Sequence, residues 1–144
     1  MGPRAAGRGD GSWTRRRVVN LVVDSSFVID HLLGDPAAQA RWRRVFEGGE
    51  QPFVTEIVVC EVRAGLRDED VPDLRSFLGP IEFVQPGPDS AMQAGAWRHD
   101  AHRRGRHLSL ADSLIASAAE SLGAAVLTRN VRDFALTPVR IETY

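Results

Sequence analysis

Lysine is absent from this 144-residue chain, and all 18 basic residues are arginine. The absence excludes every mechanism that needs a lysine amine. Response-regulator receivers and phosphotransferases of the haloacid dehalogenase type both set an Asp after the first strand of an α/β sheet, and both need that lysine. The second class also needs a D-x-D text, where this chain reads Asp24-Ser25-Ser26. Cysteine is almost absent too. With Cys60 alone, no intrachain disulfide forms and nothing calls for an oxidising compartment, which leaves the cytoplasm as the expected location. No apolar stretch approaches the roughly 20 residues of a membrane-spanning helix. The segment Thr14 to Val19 (TRRRVV) faintly resembles a twin-arginine export signal, but its apolar run ends at Asp24, too soon for a signal core. A nucleotide-binding fingerprint is missing as well, because the glycine-rich stretch Gly7 to Gly11 precedes any strand.

What is present, 43% hydrophobic and 26% charged residues, is the composition of an ordinary globular protein, and the length suits one domain with one core. Residues 1–17 hold five arginines against one aspartate, with Pro3, several glycines and no apolar periodicity. They are expected to form a disordered extension ahead of a single domain at 18–144. Since the whole chain has a formal net charge of -1, that basic extension leaves the domain itself acidic.

Val18 to Val23 (VVNLVV) is short, β-branched and almost wholly apolar, as a parallel strand covered on both faces requires, and Asp24 stands at its carboxyl end. Ser25 to Leu33 reads as a helix stopped by Gly34, and Pro36 opens another that runs to Phe46 and ends at Gly48-Gly49. Pro52 to Thr55 fits either a strand or a turn. Thr55 is expected to cap a helix from Glu56 to about Leu66, and Asp68 to Leu78 to form a further helix closed by Gly79-Pro80. Ile81 to Val84 reads as a strand, Asp89 to Arg104 as an arginine-rich amphipathic helix, and Ser109 to Leu122 as a helix of mostly small residues. Ala125 to Leu127 and Val139 to Ile141 complete the strands. Helices alternating with short apolar strands indicate an α/β layered domain on a mostly parallel sheet, and such sheets bind ligands outside the carboxyl ends of their strands. Chemistry is therefore expected in the turns after Val23 and Leu127.

Four features stand out in that frame. Asp24 puts a carboxylate on a rigid element at the ligand edge, unless it only caps the helix that follows. Glu61 interrupts the apolar run Ile57-Val58-Val59-Cys60-Glu61-Val62, with Ile57, Val58, Ala64 and Gly65 as its neighbours on the helix face. A carboxylate buried there needs a cation or a partner arginine. Arg63 and Arg67 are nearest in sequence, but neither shares its face, which favours a metal over a salt bridge. Asp112 closes the capping box Ser109-Leu110-Ala111-Asp112, a structural role compatible with ligation, and the small residues Ser113 to Ala119 behind it let neighbouring backbone come close. Finally, Leu127 to Phe134 (LTRNVRDF) gathers oxygen donors directly after a strand, where the plain alternative is an Asx-turn ahead of a short helix.

Each signal is weak by itself. Together, in this order along the chain, they resemble the PIN domain. The segments VVDSSFVID, VTEIVVCEV, RRGRHLSLADSLIASAA and AVLTRNVRDF each look like matching segments of VapC-type toxins from VapBC toxin-antitoxin pairs, and the resemblance covers about residues 19 to 142. It implies a PIN-domain fold, an α/β/α sandwich around a short, mostly parallel sheet. It also implies that Asp24, Glu61 and Asp112 are acidic metal ligands and catalytic groups. At the fourth position many relatives carry an acid where Asn130 stands. This chain has Asn130 there and an acid three residues on, so Asp133 is the candidate fourth acid, with Asn130 and Thr128 as ligand or supporting groups and Ser26 orienting Asp24.

Oxygen-only donors favour Mg²⁺ or Mn²⁺. A zinc cluster of His99, His102 and His107 with Asp100 is the weaker reading, since no Cys accompanies them and their helix reads as a solvated face. Clustered carboxylates raise one another's pKa, and a divalent ion removes that cost while activating water for attack on a phosphodiester. The resemblance implies a metal-dependent endoribonuclease that acts as a toxin on RNA, often a tRNA or rRNA loop, and leaves 5′-phosphate and 3′-hydroxyl ends. A homodimer and a VapB-type antitoxin partner come with it. On an acidic domain, affinity for RNA must come from local arginines. Arg103, Arg104, Arg106, Arg129 and Arg132 are the candidates, against an ordinary surface role for each. The rival from another class is a PIN scaffold that binds RNA or an antitoxin without cutting. A missing acid would favour it, and all the acids are present.

Overall fold

The computed structural model describes residues 19–144, so the expected extension at residues 1–17 lies outside the described residues. Strand β1 (Asn20–Val23) is the centre of the sheet, and Leu21, Val22 and Val23 are all fully buried. That is why Leu21 to Val23 is an unbroken apolar run rather than an alternating one: both faces are covered. β2 (Gln51–Thr55) and β4 (Ala125–Leu127) flank it, and β3 (Glu82–Val84) and β5 (Ile141–Glu142) form the edges, in the order β3-β2-β1-β4-β5. Every pairing is parallel, so the sheet is more uniform than the mostly parallel one expected.

The ambiguous stretch at Pro52 is a strand. Gln51 N–H donates to Val19 O at 2.9 Å, so the next residue's nitrogen turns toward β3, which pairs only from Phe53 onward. Proline's missing donor falls where no ladder exists to lose it. The last strand lies at 141–142 rather than 139–141, because pairing begins only when the Arg140 carbonyl accepts from Val126 N–H.

Among the described residues seven α-helices connect the strands: α1 (Ser25–Leu32), α2 (Pro36–Glu47), α3 (Glu56–Gly65), α4 (Val71–Leu78), α5 (Pro88–Arg103), α6 (Leu110–Leu122) and α7 (Val131–Phe134). By the right-handed crossover rule, the helices on the β1–β2–β3 leg cover one face of the sheet and α5 and α6 the other. Capping sets several boundaries. Asp35 accepts from Ala38 N–H at 2.9 Å with Pro36 behind it, and Gly123, at φ +61, ends α6 in the left-handed conformation that favours glycine. The helix expected over 68–78 is a 3-10 turn, Asp68–Asp70, followed by α4. Thr55 does not cap α3 as expected. Its side chain is turned into the protein, 4% exposed, and its Oγ1 has no partner, which leaves Glu56 in the first turn to meet the helix dipole.

Along α6, Ser113, Ile115, Ala116, Ser117, Ala118 and Ala119 are all buried. Small side chains let this helix lie close to α5, β1, β4 and α3 at once, which fixes its N-terminus and Asp112 beside the sheet. The chain runs outward from β1 to β2 and β3, then returns to β4 on the other side of β1. The strand order reverses there, and the crevice at the carboxyl ends of β1 and β4 is where an open α/β sheet binds its ligand.

Candidate active site

Asp24 leaves β1 into that crevice. Its N–H donates to Leu127 O at 3.0 Å, tying the exits of the two central strands together, and its carboxylate is 3% exposed. It makes no side-chain cap for α1, so the plain capping role does not hold. Instead Oδ2 accepts from Ser26 Oγ and from Thr128 Oγ1, both at 2.8 Å, and these two hydroxyls lie 3.2 Å apart. Among the described residues nothing donates to Oδ1. One oxygen is thus pinned by two buried hydroxyls while the other is left to a ligand. Ser26 acts here as expected, and Thr128 is a support for Asp24.

Glu61 approaches from α3, and here the expectation of a buried carboxylate fails: Glu61 is exposed. Only Val58 and Val62 of α3 are buried, so the core-facing stripe passes beside Glu61 rather than through it. Among the described residues no salt bridge claims it. Arg63 pairs with Asp68 and Arg67 with Glu69 and Asp70. Its partner is Ser25, whose hydroxyl donates to Glu61 Oε1 and so links α3 to the start of α1.

Asp112 is half-buried at the start of α6, and its N–H donates to Ser109 Oγ at 3.0 Å, which realises one half of the expected capping box. Burial first, then the charges of Asp24, Asp133 and Glu61, push its carboxyl up to about 6, against the opposing pull of the Ser109 hydroxyl. All four acids therefore share one electrostatic neighbourhood. Asn130 and Asp133 are exposed on the turn after β4, and the Asn130 side chain caps nothing. The Asx-turn alternative is not what forms. Instead Asn130 N–H donates to Thr128 Oγ1 at 2.9 Å.

The eight ion pairs among the described residues all use other acids. The charges of Asp24, Asp133 and Glu61 reach Asp112, none of the four acids has an ion-pair partner among the described residues, and their oxygen-only chemistry fits a hard divalent ion. As placed, no three His, Cys, Asp or Glu side chains among the described residues stand close enough to hold a metal. Ligation therefore requires the exposed members, Glu61 and Asp133, to turn inward, which surface side chains do readily.

Of the candidate arginines, Arg103 and Arg104 meet Asp100 at 3.9 and 3.0 Å, which directs Asp100 toward arginine. His99, His102 and His107 line a shallow cleft of about 320 Å³ with Arg98 and Arg106. Arg106 and Arg132 are exposed with no ion pair among the described residues, whereas Arg129 is bonded to Asp30. Three participants escaped the sequence reading: Ser25, Asp30 and Tyr144. Their contacts span 36, 99 and 114 positions, and no local pattern signals them.

The model of the PIN domain matches residues 21–138, and the chain belongs to the PIN-domain family. More particularly, it is 32% identical to Ribonuclease VapC19 of Mycobacterium tuberculosis over 119 residues, 81% of this chain and 94% of that protein. Among solved structures, the VapBC2 complex of Rickettsia felis bound to a DNA fragment from its promoter is similar, with a TM-score of 0.78 and 17% identity. That match covers 88% of this chain and 99% of the other. Mycobacterium tuberculosis VapC20, a sarcin-ricin loop cleaving toxin, is similar with a TM-score of 0.62 and 19% identity, covering 83% and 95%. The expected fold and family are both borne out.

Proposed function

We propose that this protein is the endoribonuclease toxin of a VapBC-type pair, with Asp24, Glu61, Asp112 and Asp133 holding Mg²⁺ or Mn²⁺ and Asn130 contributing at the fourth position. The observation that carries the reading is that Asp112, at the sheet's switch point, lies within electrostatic reach of Asp24, Asp133 and Glu61, and that none of the four is ion-paired among the described residues. A bound divalent ion supplies there an acidified water and a counter-charge for the phosphodiester oxygens. Ser26 and Thr128 keep Asp24 from rotating, so that Oδ1 stays presented. The amino end of α6 brings backbone N–H groups and a partial positive charge to the same edge, which suits a phosphate. Arg106 and Arg132 are free to meet the RNA backbone, and Arg103 and Arg104 can leave Asp100 to do so, because exposed pairs are weak.

The 32% identity to a protein named a ribonuclease supports RNA as substrate, and the likeness to VapBC complexes supports a VapB-type antitoxin as partner. A homodimer, a tRNA or rRNA target and a cytoplasmic location belong to the same proposal. Among the described residues no helix is long and apolar enough to cross a membrane.

The test is incubation of the purified full chain with total RNA in Mg²⁺, in Mn²⁺ and in chelator. Cleavage only with metal, leaving 5′-phosphate ends, is expected. RNA bound but intact in every condition would instead favour the non-cleaving scaffold.

A further inference from the structure

We propose that Asp30 and Tyr144 are positioning residues, which hold the Arg129 side chain against α1 and thereby fix the β4–α7 turn that carries Asn130 and Asp133. The inference rests on the site described above and removes Arg129 from the RNA-contacting arginines.

The turn needs an external tether. α7 has four residues, too few to be stable on its own hydrogen bonds. Thr128 anchors one end through Asp24, and the buried Phe134 anchors the other. Between them the side chains of Asn130, Val131, Arg132 and Asp133 make no hydrogen bond among the described residues, so Arg129 is the remaining tie. It is tied twice. Its N–H donates to Ser26 Oγ at 3.1 Å, and its guanidinium Nη1 donates to Asp30 Oδ1, one helical turn beyond Ser26 on α1.

Asp30 is itself held. Its side chain is only 13% exposed, and its second oxygen accepts from the Tyr144 hydroxyl at 2.6 Å. Tyr144 packs edge-on against Phe27, a fully buried core residue, with ring centroids 5.1 Å apart. Burial, reinforced by the bond to Asp30, pushes the Tyr144 phenol well above its ordinary range, so it stays a donor. Core, tyrosine, carboxylate and guanidinium thus form one chain that ends at the turn. A guanidinium committed in this way is a strut, and moving it displaces the donors at the fourth position.

Three full-length variants test this: Asp30→Asn, Arg129→Gln and Tyr144→Phe, the last removing one hydroxyl and keeping the core packed. Amide exchange by NMR should quicken at Arg129 and Asn130 in all three, least in Tyr144→Phe. Mn²⁺ affinity measured by calorimetry should fall about ten- to a hundredfold in Asp30→Asn and Arg129→Gln, the scale for losing an outer partner of a metal site. For RNA, kcat should drop with KM changed less than about twofold, and the double variant should be no worse than either single one.

Unchanged exchange, Mn²⁺ affinity and kcat in folded Asp30→Asn would overturn the proposal. So would Arg129→Gln raising KM and flattening its salt dependence while Asp30→Asn lowers KM, since Arg129 would then be a phosphate contact. If Asp30→Asn fails to fold, Tyr144→Phe decides by the same three readouts. If the wild-type protein cuts no RNA, the ribonuclease reading fails by itself, and exchange and Mn²⁺ affinity still judge the strut.

Discussion

Two places in this domain gather charged side chains, and they are built on opposite plans. Around Arg41, 4% exposed, the guanidinium meets both oxygens of Glu50 at 2.6 and 3.0 Å, with Glu142 at 3.7 Å. The Glu50 bond holds its pKa up against burial. At the ends of β1 and β4, the charges of Asp24, Glu61 and Asp133 reach Asp112, and none of these acids is ion-paired to an arginine among the described residues. The first cluster is neutralised by the protein and ties α2 to the strands beside it. The second has no ion-pair partner among the described residues, and like charges left together at some cost to stability are the pattern of a candidate functional site. Substitutions should therefore separate the two: stability is lost at Arg41, and activity at the carboxylates.

The largest effect is expected at Asp24. Asp24→Asn keeps an acceptor for Ser26 and Thr128 and removes the charge, so RNA cleavage should fall about a hundred- to a thousandfold, the scale for losing one preorganised electrostatic group. The melting temperature should barely change. Wild-type cleavage by this variant would take Asp24 out of the site. The mirror experiment is Arg41→Ala, which strands Glu50 beside the core and should cost roughly 3 to 5 kcal/mol in urea unfolding. Cleavage per folded molecule should be unaffected. Replacing Arg41 and Glu50 together by apolar residues should cost less than Arg41→Ala alone, because the one acid left without its partner, Glu142, is half-exposed.

How far each cluster was legible in the sequence follows from its geometry. Asp24 and Asp112 stand where local signals converge, one at the end of an apolar strand and the other in a capping box, and both were readable. Glu61 was readable as a candidate ligand and misread as buried. In α3 the apolar residues nearly encircle the helix, so composition does not say which side faces the core, and burial of Val58 and Val62 settled it. Position alone could not divide the fourth role between Asn130 and Asp133, since both project from one short turn. The Arg129–Asp30–Tyr144 chain and the Arg41 cluster were invisible for another reason. Their partners meet only once the sheet has formed, and an arginine in a sequence does not announce whether it will face water, phosphate or a carboxylate.

A smaller effect sharpens the comparison by titration. The Asp112 carboxyl is pushed up to about 6 from 3.8. Between those values the folded protein binds more protons than the unfolded chain, so the stability of the metal-free protein should be full below about pH 4 and fall as pH rises to about 6. The loss should be at most on the order of 3 kcal/mol, less to the extent that solvent screens this half-exposed group. Urea melts in chelator at intervals across this window, with Asp112→Asn as the reference, should give a difference curve of that sign. A flat difference curve would mean that Asp112 is better solvated than its half-buried place in the first turn of α6 indicates.

The smallest effect is expected at Glu61, and it tests whether the carboxylate cluster is a site or a collection of surface acids. Because Glu61 is exposed, its repulsion with Asp24 and Asp112 is screened, and Glu61→Gln in chelator should gain only a few tenths of a kcal/mol, up to about 1. Glutamine still accepts from Ser25, so the link between α1 and α3 survives the substitution. Added Mn²⁺ should reverse the order. An ion that binds only the native state stabilises it by RT ln(1 + [L]/Kd), so a tenfold weaker Kd in the variant leaves it behind the wild type by about 1.4 kcal/mol once metal is in excess. The crossing of the two proteins between chelator and metal is the diagnostic, since a purely structural Glu61 would shift both melts by the same amount in both conditions. Parallel shifts would leave Asp24, Asp112 and Asp133 as the only acids on the metal and return Glu61 to the role of a tether for α1.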